Sequence, residues 1–334
     1  MAADEHPRND DIPTIIPSEV ELIDPRHRQA HPGAGPMPYR PTIRSRKRRA
    51  LLLFLATCVS VFIVGMIPGA GPAGFFVFLR LLIAPVEGAN IPILIFNGIT
   101  YALAVIAILG AHEMGHYLQA RRYGVPASLP YFIPFPISPF GTMGAVIVQG
   151  AGVANRKEMF DIAITGPLAG LVLTFPILTI GLLDAGTAEL PENPIGPVFG
   201  DPLIITWMFD WLRGPRTPGH EILLNPLLFA GWVGVFITAL NLMPIGQLDG
   251  GHILYTLIGR RAHTVAYLLL YGSIFYMVYT GEYAYGLILI LLLIMGPRHP
   301  PTADDTVPLG LFRVILGWLT LGFIIIGFTP RPIV

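Results

Sequence analysis

Long stretches without an ionisable side chain alternate with short polar breaks along this chain. Leu51–Gly69 is the first stretch long enough to cross a bilayer, whose hydrocarbon core takes about 20 apolar helical residues. Arg44, Arg46, Lys47, Arg48 and Arg49 precede it. Basic blocks of this kind stay on the cytoplasmic side, so the first span is expected to run outward. Phe75–Ala84 is apolar but short, carries Arg80 and stops at Pro85, which predicts an interfacial or re-entrant helix. Asn90 and Pro92 supply an N-cap and a first-turn proline for a second span running inward to Ala120 and closed by Arg121 and Arg122. Val125–Val148 is equally apolar, but Pro126, Pro130, Pro134, Pro136 and Pro139 exclude a regular helix. Its second half, Phe140–Val148, reads as a strand after a turn, within a partly inserted hairpin or loop. A third span, Ile162–Leu183, follows Arg156 and Lys157. A fourth covers Ile222–Met243. After Arg260 and Arg261, Thr264–Thr280 and Tyr283–Met295 form an out-and-back pair around Gly281–Glu282, and Leu309–Phe328 is the last span. Placing the basic clusters on one side gives about seven spans, N-terminus inside and C-terminus outside.

Composition agrees with this pattern. Of 334 residues, 53% are hydrophobic and 13% charged, with a mean hydropathy of +0.63. Soluble domains carry about 25% charged residues, so an integral membrane protein is expected. A formal net charge of zero gives no reason to expect a nucleic-acid partner. The single cysteine, Cys58, excludes an intramolecular disulfide and a cysteine-based zinc site. Residues 1–49 lack the short apolar core of a cleavable signal peptide, and Met1–Pro41 has the composition of a disordered tail. The expected fold is an all-α polytopic membrane protein with a short membrane-inserted β-hairpin. It divides into a cytoplasmic tail (1–49), a first span with an interfacial segment (50–89), a central core (90–259) and C-terminal spans (260–334).

The second span carries the chemistry. Ile91–Ala111 holds no Asp, Glu, Lys, Arg or His, and then His112, Glu113 and His116 arrive within five positions. Histidines at i and i+4 share one helix face and can reach one metal ion, with the glutamate beside them placed to take a proton from water. Charged groups at membrane depth default to a functional reading. His112 precedes Arg121 by nine residues, which at about 1.5 Å per residue buries it roughly 13 Å below the cytoplasmic boundary. A catalytic zinc takes three protein ligands, so a third is needed at this depth. Asp161 and Glu158 lie where the third span begins, and Glu221 and Glu282 are expected at the opposite face. Asp249 and His252 follow the fourth span, after Pro244 interrupts it and among Gly246, Gly250 and Gly251. An unpaired carboxylate there would be costly and a metal removes the cost, which favours Asp249 as the ligand over an N-cap of the next helix. His252 reads better as a supporting residue than as a ligand.

The pairing of His112-Glu113-x-x-His116 with Asn241-x-x-Pro244-x-x-x-x-Asp249-Gly250 resembles the site-2 protease family of intramembrane zinc metalloproteases. Gly166-Pro167-Leu168-Ala169 resembles that family's glycine–proline motif, and its small residues also suit close helix packing. The resemblance covers about Asn90–Gly259. It implies zinc held by His112, His116 and Asp249, with Glu113 as base and Asn241 helping to hold the substrate carbonyl or developing oxyanion. An interhelical hydrogen bond is the other reading of Asn241. The family binds unwound substrate along an edge strand, which implies a substrate-binding role for Phe140, Gly141, Thr142, Met143 and Gly144; a purely structural hairpin is the alternative. Many members carry a PDZ domain, for which the 37 residues of Asp184–His220 are too few, so the chain is similar to the PDZ-less branch. The function implied is zinc-dependent cleavage of transmembrane protein substrates (regulated intramembrane proteolysis) in a lipid membrane, most simply the cell membrane. Another integral zinc protease of the prenyl-protein type, with a different third ligand, and a metal transporter are the alternatives. Gly296–Pro301, an unusual cytoplasmic loop, is expected to be structural or regulatory.

Overall fold

The computed structural model describes residues 47–70, 72–83, 88, 90–150, 152–189, 199–217 and 219–332. The tail expected over most of 1–49 lies outside the described residues. Ten helices and two small sheets are present among the described residues: α1 (Lys47–Gly65), α2 (Pro72–Ile83), α3 (Ile91–Arg122), β1 (Tyr131–Phe135), β2 (Gly141–Val146), α4 (Arg156–Asp184), β3 (Thr187–Glu189), α5 (Leu203–Arg213), β4 (His220–Ile222), α6 (Pro226–Asn241), α7 (Asp249–Ile258), α8 (Arg261–Thr280), α9 (Gly286–Met295) and α10 (Leu311–Gly327).

The helix starts follow from local chemistry. Asn90 caps α3 by accepting from the Ile93 N–H at 3.3 Å, with Pro92 in the first turn. Asn155 and Glu158 form a reciprocal capping box on α4. Asn225 caps α6 at 2.8 Å, and its amide also donates to the Gly181 carbonyl of α4 at 2.8 Å. One side chain thus starts a helix and fixes its register against another.

Four helices, α1, α3, α4 and α8, are long and apolar enough to cross a membrane. The other expected spans correspond to shorter apolar helices. α6 has 16 residues because β4 takes Ile222 and Pro244 prevents extension past Asn241; α9 has 10 and α10 has 17. The short apolar Phe75–Ala84 segment is α2.

The core is the α3–α4–α6 triad, with Phe160, Leu178, Phe229, Trp232 and Val235 fully enclosed. Glycines set its spacing: a Cβ on Gly181 would fall 2.2 Å from the Leu228 nitrogen, and one on Gly231 2.7 Å from Leu178 Cβ. Small residues of this kind let membrane helices approach backbone to backbone. The hairpin β1–β2 is antiparallel, pairing Tyr131 with Val146 and Phe135 with Gly141 around an irregularity at Phe132–Pro134. It lies on α1, where Ser60 Oγ donates to the Gly141 carbonyl at 2.5 Å and Phe132 meets Phe54 edge-on. A second ribbon, β3–β4, closes the link between α4 and α6.

Candidate metal centre

Three helices bring the motif residues together. His112, Glu113 and His116 are all buried in α3. The packing of α4 against α3 turns the imidazoles into place. His116 Nδ1 lies 2.7 Å from the Ile162 carbonyl, so that nitrogen donates and Nε2 is left bare for a ligand. Gly166 lies directly behind this ring: a Cβ there would sit 2.0 Å from His116 Nε2. Gly115 is equally constrained, with a Cβ position 2.5 Å from the Thr165 carbonyl oxygen. The glycine–proline motif therefore does more than permit packing; it leaves room for a ligand ring.

Asp249 arrives from the other side. After α6 ends at Asn241, residues 242–248 turn tightly and α7 begins at Asp249. The turn tolerates no side chain at its crossing, since a Cβ on Gly250 would fall 1.7 Å from the Leu242 carbonyl oxygen. Asp249 is the first residue of α7 and Leu248 the N-cap, so the carboxylate is not used as a cap. Its Oδ2 lies 3.1 Å from His112 Nε2 and its Oδ1 3.2 Å from His116 Nε2, while the two Nε2 atoms are 3.2 Å apart. All three ligand atoms lie within 4.8 Å of one another. Ligands about 2.0–2.1 Å from a tetrahedral zinc are separated by roughly 3.3 Å, and the nearest donor separations here, 3.1–3.2 Å, are of that size, with Asp249 turning a different oxygen to each histidine. Asn241 Nδ2 lies 3.4 Å from His112 Nε2, which places the Asn at the same centre.

The remaining ligand candidates are engaged elsewhere. Glu158 closes the α4 cap. Asp161 is bound by Arg313 of α10 at 2.7 and 2.9 Å and accepts from Tyr123 at 2.5 Å. Glu282 pairs with Arg331 at 3.1 Å, and Glu221 lies in β4. His252 Nδ1 meets His299 Nε2 at 2.5 Å instead of joining the ligand group.

Of the five residues expected to bind substrate, Met143 is open, at 40% exposure, and Gly144 has φ +93° with free space where a side chain would start. Phe140 packs among Trp232 and Phe236, and its carbonyl accepts from Tyr101 at 3.1 Å. Gly141 is pressed against Val61, and Thr142 is buried and donates to the Ile133 carbonyl at 2.8 Å. Sequence reasoning missed the Ile162 carbonyl, the Asp161–Arg313 pair and the His252–His299 contact. A backbone acceptor leaves no mark in the sequence, and the other two join residues 152 and 47 positions apart.

Comparison with known proteins places this arrangement in context. The family description "Peptidase family M50" matches residues 100–279. The probable zinc metalloprotease EGY1, chloroplastic, of Oryza sativa subsp. japonica is 32% identical over 284 residues, covering 79% of this chain and 47% of its own length. The probable zinc metalloprotease EGY2, chloroplastic, is 31% identical in Arabidopsis thaliana (72% of this chain, 43% of the relative) and in Oryza sativa subsp. indica (64% and 39%). The chain thus spans between two fifths and half the length of these relatives. The matched region contains both motifs and every residue of the converging donor set: this chain belongs to peptidase family M50, the site-2 protease family of zinc metallopeptidases that its motifs resemble.

Proposed function

We propose that this chain is a zinc-dependent endopeptidase that cleaves transmembrane proteins within the bilayer, in regulated intramembrane proteolysis. The observation that supports it best is the convergence of His112, His116 and Asp249 beside a buried Glu113. Zinc held by those three residues would polarise a scissile carbonyl and acidify a water. Glu113 takes the proton of the attacking water and returns it to the leaving amine. The Asn241 side-chain N–H is placed to donate to the oxygen on which charge develops.

Depth supports cleavage inside the membrane. Ile258, the last residue of α7, lies nine positions after Asp249, and beside it Arg156 at the start of α4 donates to the Thr256 and Leu257 carbonyls. That is about 13.5 Å of helix, matching the distance from His112 to Arg121–Arg122. With the basic residues at these ends on the cytoplasmic side, the N-terminus is inside and seven spans are used, α6, α9 and α10 being short ones. Water reaches the site from the cytoplasm between the ends of α3, α4 and α7. The Asp249 side chain is 14% exposed against 5% and 8% for the histidines, in keeping with that route.

A substrate helix must unwind before attack, and its freed backbone needs partners. β2 pairs only with β1 among the described residues. Phe140 is level with Phe236, five residues or roughly 7.5 Å of helix before Asn241. The stretch of β2 that follows Phe140, Thr142–Gly144, is the candidate to supply those partners. There an extended substrate adds to β2, with Met143 and Gly144 at the contact. The relatives are named chloroplastic, which gives no support for the cell membrane over another membrane.

The test is cleavage of single-span, N-terminus-in substrates by the wild type and Glu113→Gln, with zinc measured in both. The expected result is equal zinc with cleavage lost only in the variant. Equal cleavage rates would remove Glu113 from the chemistry.

A further inference from the structure

The segment between α9 and α10 takes no part in the chemistry above, yet it is tied to both halves of the metal centre. Its first contact is with the turn before Asp249: the Gly246 N–H donates to the Pro297 carbonyl at 3.2 Å. The next is with α7, one turn past Asp249, through the 2.5 Å contact of His252 Nδ1 with His299 Nε2. In a hydrogen bond between two neutral imidazoles one nitrogen carries the proton and the other is bare, so the contact fixes both rings. His299 is buried and lies face to face with Tyr255 at 4.3 Å and 14°, edge-on to His252 at 4.6 Å. The Tyr255 hydroxyl then donates to Asp305 at 2.8 Å, and Thr302 Oγ1 donates to the other Asp305 oxygen at 2.6 Å. Finally the segment reaches the start of α4. The Ala303 N–H donates to the Ala154 carbonyl at 2.8 Å, and the Arg156 N–H to the Asp304 carbonyl at 3.0 Å.

These contacts describe a strap over the cytoplasmic side of the site. One end holds the turn and helix that carry Asp249. The other holds α4, whose Ile162 carbonyl orients His116. Few side chains hold the stretch that carries Asp249: Gly246 lies in the turn, Gly250 and Gly251 open α7, and Leu248 makes no side-chain cap. A carboxylate ligand on such a turn needs an external brace to stay within a few tenths of an ångström of two histidines.

We propose that residues 297–305 are that brace, and that His299, through His252 and Tyr255, is a positioning residue that sets Asp249 against His112 and His116. This rests on the reading of those three residues as metal ligands. Supporting residues around metal ligands typically contribute about 10–100-fold in metal affinity, and His299 acts through an entire helical turn.

The test uses the full chain in detergent, stripped of metal and titrated with zinc against a competing chelator, and with Co²⁺ to read ligand geometry from its visible absorption. His299→Ala is expected to lower zinc affinity about 10-fold or more and to change the Co²⁺ spectrum, while the metal-free protein unfolds at the wild-type temperature. His299→Gln, which can restore a hydrogen bond to His252, is expected to recover part of the loss. Wild-type affinity and spectrum in His299→Ala would overturn the inference, as would a loss of affinity matched by equal unfolding of the metal-free form. If His299→Ala does not fold, Tyr255→Phe carries the test: it keeps the ring stack, releases Asp305 and is expected to weaken zinc several-fold, and unchanged affinity overturns the proposal. Failure of the wild type itself to bind zinc or Co²⁺ would instead sink the metal reading beneath it.

Discussion

Adding one methyl group at Gly166 should disable the metal centre. The new Cβ would lie 2.0 Å from His116 Nε2, 2.3 Å from Cε1 and 2.4 Å from Cδ2. Non-bonded carbon atoms rest at about 3.5 Å or more, so ring and methyl must separate by roughly 1.5 Å. Two routes exist and both are costly. The imidazole can swing away, which breaks its 2.7 Å hydrogen bond to Ile162 and moves Nε2 out of reach of an ion held at about 2.0–2.1 Å. Alternatively α4 can retreat from α3, opening the contact at Gly115 and the 3.2 Å bond from Thr165 to the Gly115 carbonyl. Overpacking of this kind costs about 1–3 kcal/mol. Gly166→Ala is therefore expected to lose at least ~100-fold in zinc affinity, the upper end for disturbed supporting residues. Gly170→Ala is the control. Its Cβ meets His112 Cβ at 3.3 Å and Nδ1 at 3.4 Å, which a shift of a few tenths of an ångström relieves, so about 10-fold or less is expected. Chelator competition on purified protein measures both, with thermal unfolding of the metal-free forms alongside. Wild-type zinc affinity in Gly166→Ala would refute the geometric reasoning, as would equal losses in the two variants.

Further expectations concern other parts of the molecule. Asp249→Ala should abolish stoichiometric zinc binding, since α7 offers no replacement carboxylate; zinc retained at one per chain would favour a different third ligand. Asn241→Ala should keep its zinc and lose about 10²–10³ in kcat, and an unchanged kcat would leave Asn241 with only a packing role. Arg313→Met should destabilise by about 2–3 kcal/mol by removing the cation paired with Asp161, less than for a fully enclosed pair because Arg313 keeps 27% of its side chain exposed and Tyr123 still donates to the carboxylate. Adding Asp161→Leu should recover much of that in unfolding measurements, and strictly additive losses would contradict the pairing. Burial, and then the neighbouring His252, push His299 down to about 3. Because its folded value lies below the unfolded one, the unfolded chain takes up the proton first. Stability is then unaffected above about pH 6.5 and falls as pH drops from there toward 3, by roughly 2 kcal/mol at pH 5. Unfolding at pH 7.5 and 5 should show this slope reduced in His299→Gln, and an equal slope would assign it elsewhere.

Much of the architecture was legible because membrane chains advertise it. A helix surrounded by hydrocarbon satisfies its own backbone, so apolar length alone outlines α1, α3, α4 and α8. Prolines at 126, 130, 134, 136 and 139 announced a non-helical segment, and β1–β2 occupies it. Helix ends were less legible where another element competed for the residues. Apolar sequence continues through Ile222, but β3 pairs with it in a strand, and α6 starts only at Pro226.

For the site, the sequence by itself determined which candidate side chains share a helix face. Spacing along a helix is a local property, so His112 and His116 were assigned to one face, with Glu113 beside them, from residue order alone. Asp249 emerged by elimination, because few carboxylates lie at that depth. Only the tertiary structure decided what surrounds the ligands. Which nitrogen of His116 is bare depends on the Ile162 carbonyl of another helix, and room for that ring depends on Gly166 in the same helix. The tie of Asp249's turn and helix to residues 297–305 depends on the Gly246–Pro297 and His252–His299 contacts, between positions 51 and 47 residues apart. Such relations depend on how helices cross, and a crossing is set by summed packing over whole surfaces, which no short motif encodes.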